Sequence, residues 1–232
     1  MRTEPIVAAR QLILRDYSAC LLAVLGGSAS RGEHNEHSDL DILVVDDSTE
    51  GLTRKTVGAY GWVVELFFLN PLDYREQFDV GVIAANPTLQ RIIVEGIVIC
   101  TSTVGDKIRE EAKSDLEGGP LPLTSYDIDV NRYVITEFMM DLKGSDMVVE
   151  QWFIAQKMTI LLCEFVLRAN RQWIGEGKTL FRLLLMHDSR VAADLERSLR
   201  LLYVHKDKSS LLELTEKLLK PFGGPYLIGH EE

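Results

Sequence analysis

Residues Gly26–Val45 read GGSASRGEHNEHSDLDILVV, a glycine-led turn followed by a pair of aspartates at the head of an apolar run. It follows Cys20–Leu25, a short continuous apolar run with the length of a buried strand. Gly26-Gly27-Ser28 then reads as a tight turn into a short helix. Glycines let a backbone approach a ligand, and a helix N-terminus offers free N–H groups and the positive end of a dipole. Ser28 adds a hydroxyl donor, so the turn suits phosphate oxygens. Asp39 and Asp41 come eleven and thirteen residues after Ser28, at the start of a second apolar strand, Asp39–Val45. A period of two puts both carboxylates on one face of that strand. Two adjacent carboxylates repel unless a cation sits between them. Hard oxygen ligands in such a pair suit Mg²⁺, which is bound by one or two carboxylates together with substrate phosphates.

Working outward, Gly61–Leu69 (GWVVELFFL) is a third strand, rich in β-formers, with Glu65 as its single charged residue. Beside the two aspartates, Glu65 becomes a natural third metal ligand. Three carboxylates, a phosphate-cradling turn and Mg²⁺ are the parts of phosphoryl or nucleotidyl transfer. An amphipathic helix is expected over Thr3–Tyr17, helices starting at Pro71-Leu72-Asp73 (to about Phe78) and at Asn86-Pro87, a short strand at Gly96–Cys100 and a charged helix over Thr103–Leu116. Glu117–Leu123 (EGGPLPL) reads as a linker. Beyond it the pattern is helical only, with helices expected near 125–143, 146–171, 178–188, 190–204 and 209–220. The fold class is α+β, with one domain over 1–118 and an all-helical bundle over 119–232.

Of the 232 residues, 25 are Lys or Arg and 35 are Asp or Glu, for a formal net charge of −10. Residues 1–118 hold 11 basic and 19 acidic side chains, so most of the excess lies in the first half. With 46% hydrophobic and 26% charged residues the composition is globular. The acidic balance disfavours nucleic acid, which wants a basic stripe. Cys20, Cys100 and Cys163 are widely spaced among apolar residues and form no CxxC pair; they read as buried, reduced thiols of a cytoplasmic protein. Arg2, Glu4, Arg10, Arg15 and Asp16 argue against a signal peptide, and the greasiest stretch, Met147–Ala169, carries too many charges for a membrane span.

The form GGS-x-x-RG-x5-SD-x-D resembles the signature of the nucleotidyltransferase superfamily that includes DNA polymerase beta, and especially that of the small bacterial nucleotidyltransferases. The resemblance covers roughly the first hundred residues. It implies a small mixed-sheet catalytic domain in which Mg²⁺ bridges Asp39, Asp41 and the nucleotide phosphates, with Glu65 as third ligand. It also implies that Gly27 and Ser28 hold the phosphates of ATP or another nucleoside triphosphate, that Arg31 neutralises them, and that Ser38 either bonds a phosphate or fixes the start of the strand. The two-part architecture is similar to that of the aminoglycoside nucleotidyltransferases of the kanamycin type, whose helical half supplies a base. That resemblance points to Asp141, then Glu137, in the helix over 125–143, with Glu65 itself as a further candidate base. In those enzymes a lysine follows the base four residues on, whereas Ser145 stands there after Asp141. It implies transfer of AMP to a hydroxyl of a small acceptor of the aminoglycoside type, an acceptor-binding helical half, antibiotic resistance and a homodimer. The alternative is an antitoxin-like nucleotidyltransferase that binds or adenylylates a protein partner.

Other signals have plainer readings. His34 and His37 read as solvated loop residues. Glu150, Lys157, Glu164 and Arg171, spaced by seven, read as a water-facing stripe, or else as part of a cleft wall through Lys157 or Glu164. Trp173–Lys178 (WIGEGK) reads as a turn, with Lys178 as a candidate phosphate contact. Arg182 and His187 read as a surface arginine and a histidine at a helix end.

Overall fold

The computed structural model describes residues 2–227; residue 1 and residues 228–232, the outer ends of the two assigned regions, lie outside the described residues. The chain divides into two compact units, Met1–Gly119 and Pro120–Glu232. The first contains α1 (Pro5–Asp16), β1 (Leu22–Leu25), the short α2 (Gly27–Ser30), β2 (Leu40–Val45), β3 (Thr53–Ala59), β4 (Trp62–Leu69), α3 (Tyr74–Ile83), α4 (Thr88–Glu95), β5 (Ile97–Thr101) and α5 (Thr103–Gly118). The strands form one mixed sheet in the order β3-β4-β2-β1-β5. β2 and β4 run parallel, and the other neighbours are antiparallel.

The central strands β1 and β2 are apolar throughout except for Asp41, because both faces of the sheet are covered. On one face Ala8, Ala9, Leu12 and Ile13 of α1 pack on Ala23, Leu25, Ile42, Val44 and Leu66. Burying Leu12 and Ile13 there contributes about 1.5–3 kcal/mol each. On the other face Leu22, Val24, Leu43, Val45 and Leu69 meet Tyr74 and Phe78 of α3, Ile93 of α4, and Ile108 and Ala112 of α5. Asp41 shares the parity of Leu43 and Val45, so it points to the side covered by α3–α5.

Two features depart from the expected pattern. β3 was not anticipated: its sequence, TRKTVGA, is exposed along most of its length and has no apolar alternation. It forms because β4 offers a free edge, and seven residue pairs join the two strands. Helix α3 continues past Phe78 to Ile83, supported by the Arg75–Asp79 ion pair at 2.7 Å, and ends before Ala85 takes a left-handed φ of 56°. The thiols also differ from expectation. Cys163 is buried, but Cys20 and Cys100 are half-buried and their Sγ atoms lie 3.4 Å apart. The pairing of β5 with β1 brings these distant positions together. Burial, with the Cys100 contact second, pushes the Cys20 thiol up to about 12.

The second unit contains α6 (Ser125–Gly144), α7 (Val148–Ala169), α8 (Lys178–His187), α9 (Ser189–His205) and α10 (Ser209–Leu219), ending in a 3-10 turn at Lys220–Phe222. Its core is built from helical apolar periods: Ile135, Met139 and Leu142 on α6, and Met158, Leu162 and Phe165 on α7. Leu180 and Leu184 on α8, Leu195 and Leu202 on α9, and Leu211 and Leu214 on α10 complete it. The buried Ser198 hydroxyl is satisfied by Ser210 Oγ at 2.9 Å. Thr124 and Asp127 form a capping box at the start of α6. No helix among the described residues is long and apolar enough to cross a membrane.

Asp188 caps α9, accepting from the backbone N–H groups of Arg190 and Val191. Asp188→Ala is expected to cost about 1 kcal/mol, read as a lowered denaturant midpoint. The bonds from Val191 and then Arg190 hold the Asp188 carboxyl below its ordinary value. Its contribution is therefore complete above the ordinary carboxylate value of about 4 and fades as pH falls through the lowered folded value. An Asp188→Asn variant with an unchanged acid limb of stability would contradict this.

Candidate active site

The site is assembled where β1 ends and β2 begins. Gly26 donates its N–H to the Asp41 carbonyl at 2.8 Å, which ties the turn after β1 to the second residue of β2. Gly27 has φ +66°, and a Cβ added there would lie 2.0 Å from Asp41 Oδ2. The turn therefore adopts a conformation and a closeness to the Asp41 carboxylate that only glycine allows. Ser28, on α2, approaches Ser38 Oγ to 3.5 Å.

The three carboxylates come from two strands. Asp39 immediately precedes β2, Asp41 lies within it, and the parallel register sets Asp41 directly opposite Glu65 of β4. One ligand atom from each of Asp39, Asp41 and Glu65 lies within 4.8 Å of the others, and all three side chains are half-buried. Oxygens so placed on side chains held by a buried sheet are a fit set for a hard divalent cation. The open wall provided by Gly27 beside Asp41 fits the same purpose, since a side chain there would fill it.

Other candidates are placed as follows. Ser38 Oγ accepts from the Asn35 N–H at 2.9 Å, so it fixes the loop leading into β2. Arg31 follows α2, is exposed and pairs with Glu33 at 3.2 Å. His37 sits beside Glu36 on the surface, whereas His34 packs edge-on to the Trp62 ring at 5.7 Å. Within the helical unit, Glu137 and Asp141 are exposed on α6 and line a cavity of about 320 Å³ with Phe138, Met140 and Leu227. The chain after α10 returns to α6 there. Arg132 donates to the Gly224 carbonyl at 2.8 Å, and the Tyr226 N–H donates to Thr136 Oγ1 at 3.0 Å. Lys178 is the exposed first residue of α8. Along the stripe of α7, Glu150 and Lys157 are exposed and Arg171 lies past the helix end. Glu164 is half-buried, and burial raises its carboxyl. Arg182 and His187 are exposed on α8.

One charged neighbour of the triad was missed in the sequence. Arg54 of β3 forms an ion pair with Glu65 Oε2. β3 carries no apolar alternation, so nothing in the sequence places Arg54 on a strand next to β4.

Residues 11–100 match the family model described as the nucleotidyltransferase domain. Among solved structures, a nucleotidyltransferase-like protein from Exiguobacterium sibiricum 255-15 aligns at 11% identity. That alignment covers 93% of this chain and 74% of the other, with a TM-score of 0.49. No curated protein matches the chain.

Proposed function

We propose that the nucleotidyltransferase domain over residues 11–100 moves a nucleoside monophosphate, AMP from ATP, to a hydroxyl of a small cationic acceptor. The observation that carries this reading is the convergence of Asp39, Asp41 and Glu65 within 4.8 Å beside the Gly27 turn. Mg²⁺ held by the three carboxylates would offset phosphate charge and orient the α-phosphorus for in-line attack. The N–H groups and hydroxyl of the Gly27-Ser28 turn hold the β- and γ-phosphates. Arg31 exchanges Glu33 for the triphosphate, and Ser38 keeps the start of β2 in place. The acceptor oxygen bonds to the α-phosphorus, the bond to the bridging oxygen of the β-phosphate breaks, and pyrophosphate leaves. Positioning and electrostatics supply most of the rate.

The helical unit is assigned the acceptor. The cavity lined by Glu137 and Asp141 supports this: two carboxylates one turn apart beside Phe138, Met140 and Leu227 suit a cationic molecule with an apolar face. Asp141 is the first choice to take the hydroxyl proton, with Glu137 next. The net charge of −10 favours a polycationic acceptor over a nucleic acid. The aminoglycosides are the acceptor class with which to begin.

The test is incubation with α-labelled ATP, Mg²⁺ and a panel of hydroxylated amines that includes aminoglycosides. Pyrophosphate release with label on a small molecule is expected, and Asp141→Asn should lower turnover on the order of a hundredfold or more. Label on a protein band instead would replace the small acceptor with a protein one. Absence of label on every acceptor and protein, with every nucleotide, would overturn the transfer reading.

A further inference from the structure

We propose that Arg54 is a positioning residue that gathers the third carboxylate, Glu65, into the cation site before any cation binds. The proposal rests on the reading of the triad as a cation site.

The sheet register carries it. Across three strands, Asp41 of β2, Glu65 of β4 and Thr56 of β3 stand in one row. Two rows on stand Leu43, Phe67 and Arg54. By strand parity these residues share one face. Arg54 is therefore the diagonal neighbour of Glu65, within reach of a long side chain. It uses that reach: the guanidinium lies over the Phe67 ring, 5.3 Å from its centroid, and one of its nitrogens donates to Glu65 Oε2. The ring beneath and the carboxylate ahead hold the guanidinium from two sides. The bond at Oε2 fixes the carboxylate of Glu65 from the β3 side.

Without a cation, three carboxylates within 4.8 Å repel one another, and Glu65 has rotamers that carry it away. Arg54 opposes that motion. It also adds positive charge near the cation, which works against binding. The two effects differ in screening. The Arg54 side chain is 59% exposed, so solvent and salt weaken its repulsion of a cation, whereas that of Glu65 is only 19% exposed. Ordering of the ligand therefore outweighs the added charge. Partners that orient a metal ligand from behind are worth about 10–100-fold in metal affinity.

Mn²⁺ binding to the full chain, followed by electron paramagnetic resonance without nucleotide, tests this. Arg54→Met is expected to weaken Mn²⁺ binding about tenfold. Arg54→Lys, which keeps the charge and loses the planar fork, should fall between Arg54→Met and wild type. Phe67→Leu, which removes the ring and leaves every charge in place, should weaken binding about threefold. In turnover, Arg54→Met should raise the Mg²⁺ concentration for half-maximal rate while kcat at saturating Mg²⁺ changes little. Arg54→Met binding Mn²⁺ as tightly as wild type, or more tightly, overturns the positioning role while the cation site stands. Wild-type protein that binds no Mn²⁺, or binding indifferent to Asp41→Asn, overturns the cation site and the positioning role together.

Discussion

Asp41→Asn is expected to lower nucleotidyl transfer on the order of a thousandfold or more while leaving the fold intact. Asp41 lies between the two halves of the site. Its carbonyl accepts from Gly26, its carboxylate lies against Gly27, and Glu65 stands opposite in the parallel register. Asparagine keeps the shape and the backbone bond but removes the charge that a divalent cation requires. The core around β2 is untouched, because Leu40, Ile42, Leu43, Val44 and Val45 are all fully buried. Asp39→Ala combined with Asp41→Ala should abolish measurable turnover. Both variants should show unchanged circular dichroism and a melting temperature near that of wild type. A double variant that retains wild-type turnover would remove the carboxylates from the chemistry.

The second large effect is expected at Gly27. Alanine there pays for a left-handed backbone, about 1–2 kcal/mol. The greater consequence is local. The new methyl carbon would lie 2.0 Å from Asp41 Oδ2 and 3.0 Å from Asp41 Cγ, so the carboxylate must turn away. Displacing a reacting or ligating group by about 1 Å costs on the order of a hundredfold in rate. Gly27→Ala should therefore lose far more activity than stability. Gly26→Ala is the control. Its backbone is extended, with φ −106°, and its added methyl would press on the Ile92 side chain at 2.9 Å rather than on the Asp41 carboxylate. Equal activity in the two alanine variants would contradict the account of the turn.

The acidic cluster was legible wherever it is written in local pattern. Asp39 and Asp41 stand out because two carboxylates at a period of two, at the start of an apolar strand, suit a cation. Glu65 is conspicuous as a lone charge in GWVVELFFL. The helices of the second unit were legible for a similar reason: Ile135, Met139 and Leu142 repeat with the helical period. Long-range pairing was not legible. The parallel register that sets Asp41 opposite Glu65 is decided by the sheet as a whole, and so is the approach of Cys20 to Cys100. β3 escaped notice because Arg54, Lys55 and Thr56 face solvent and Gly58 disfavours a strand. Arg54 was hidden with it. The return of the chain to α6, which places Leu227 beside Glu137 and Asp141, leaves no periodic trace at all.

The same pairing gives the acidic first half a different meaning from that of a uniform surface. Part of its negative charge converges on one point, and Arg54 offsets part of that convergence. On the function proposed above, this point holds a divalent cation beside a nucleoside triphosphate. Anomalous diffraction from crystals soaked with Mn²⁺ and a non-hydrolysable ATP analogue tests it most directly. A manganese peak in contact with Asp39, Asp41 and Glu65 is expected, with the analogue's phosphates against the Gly27-Ser28 turn. A bound analogue whose phosphates and manganese lie away from these residues would contradict it.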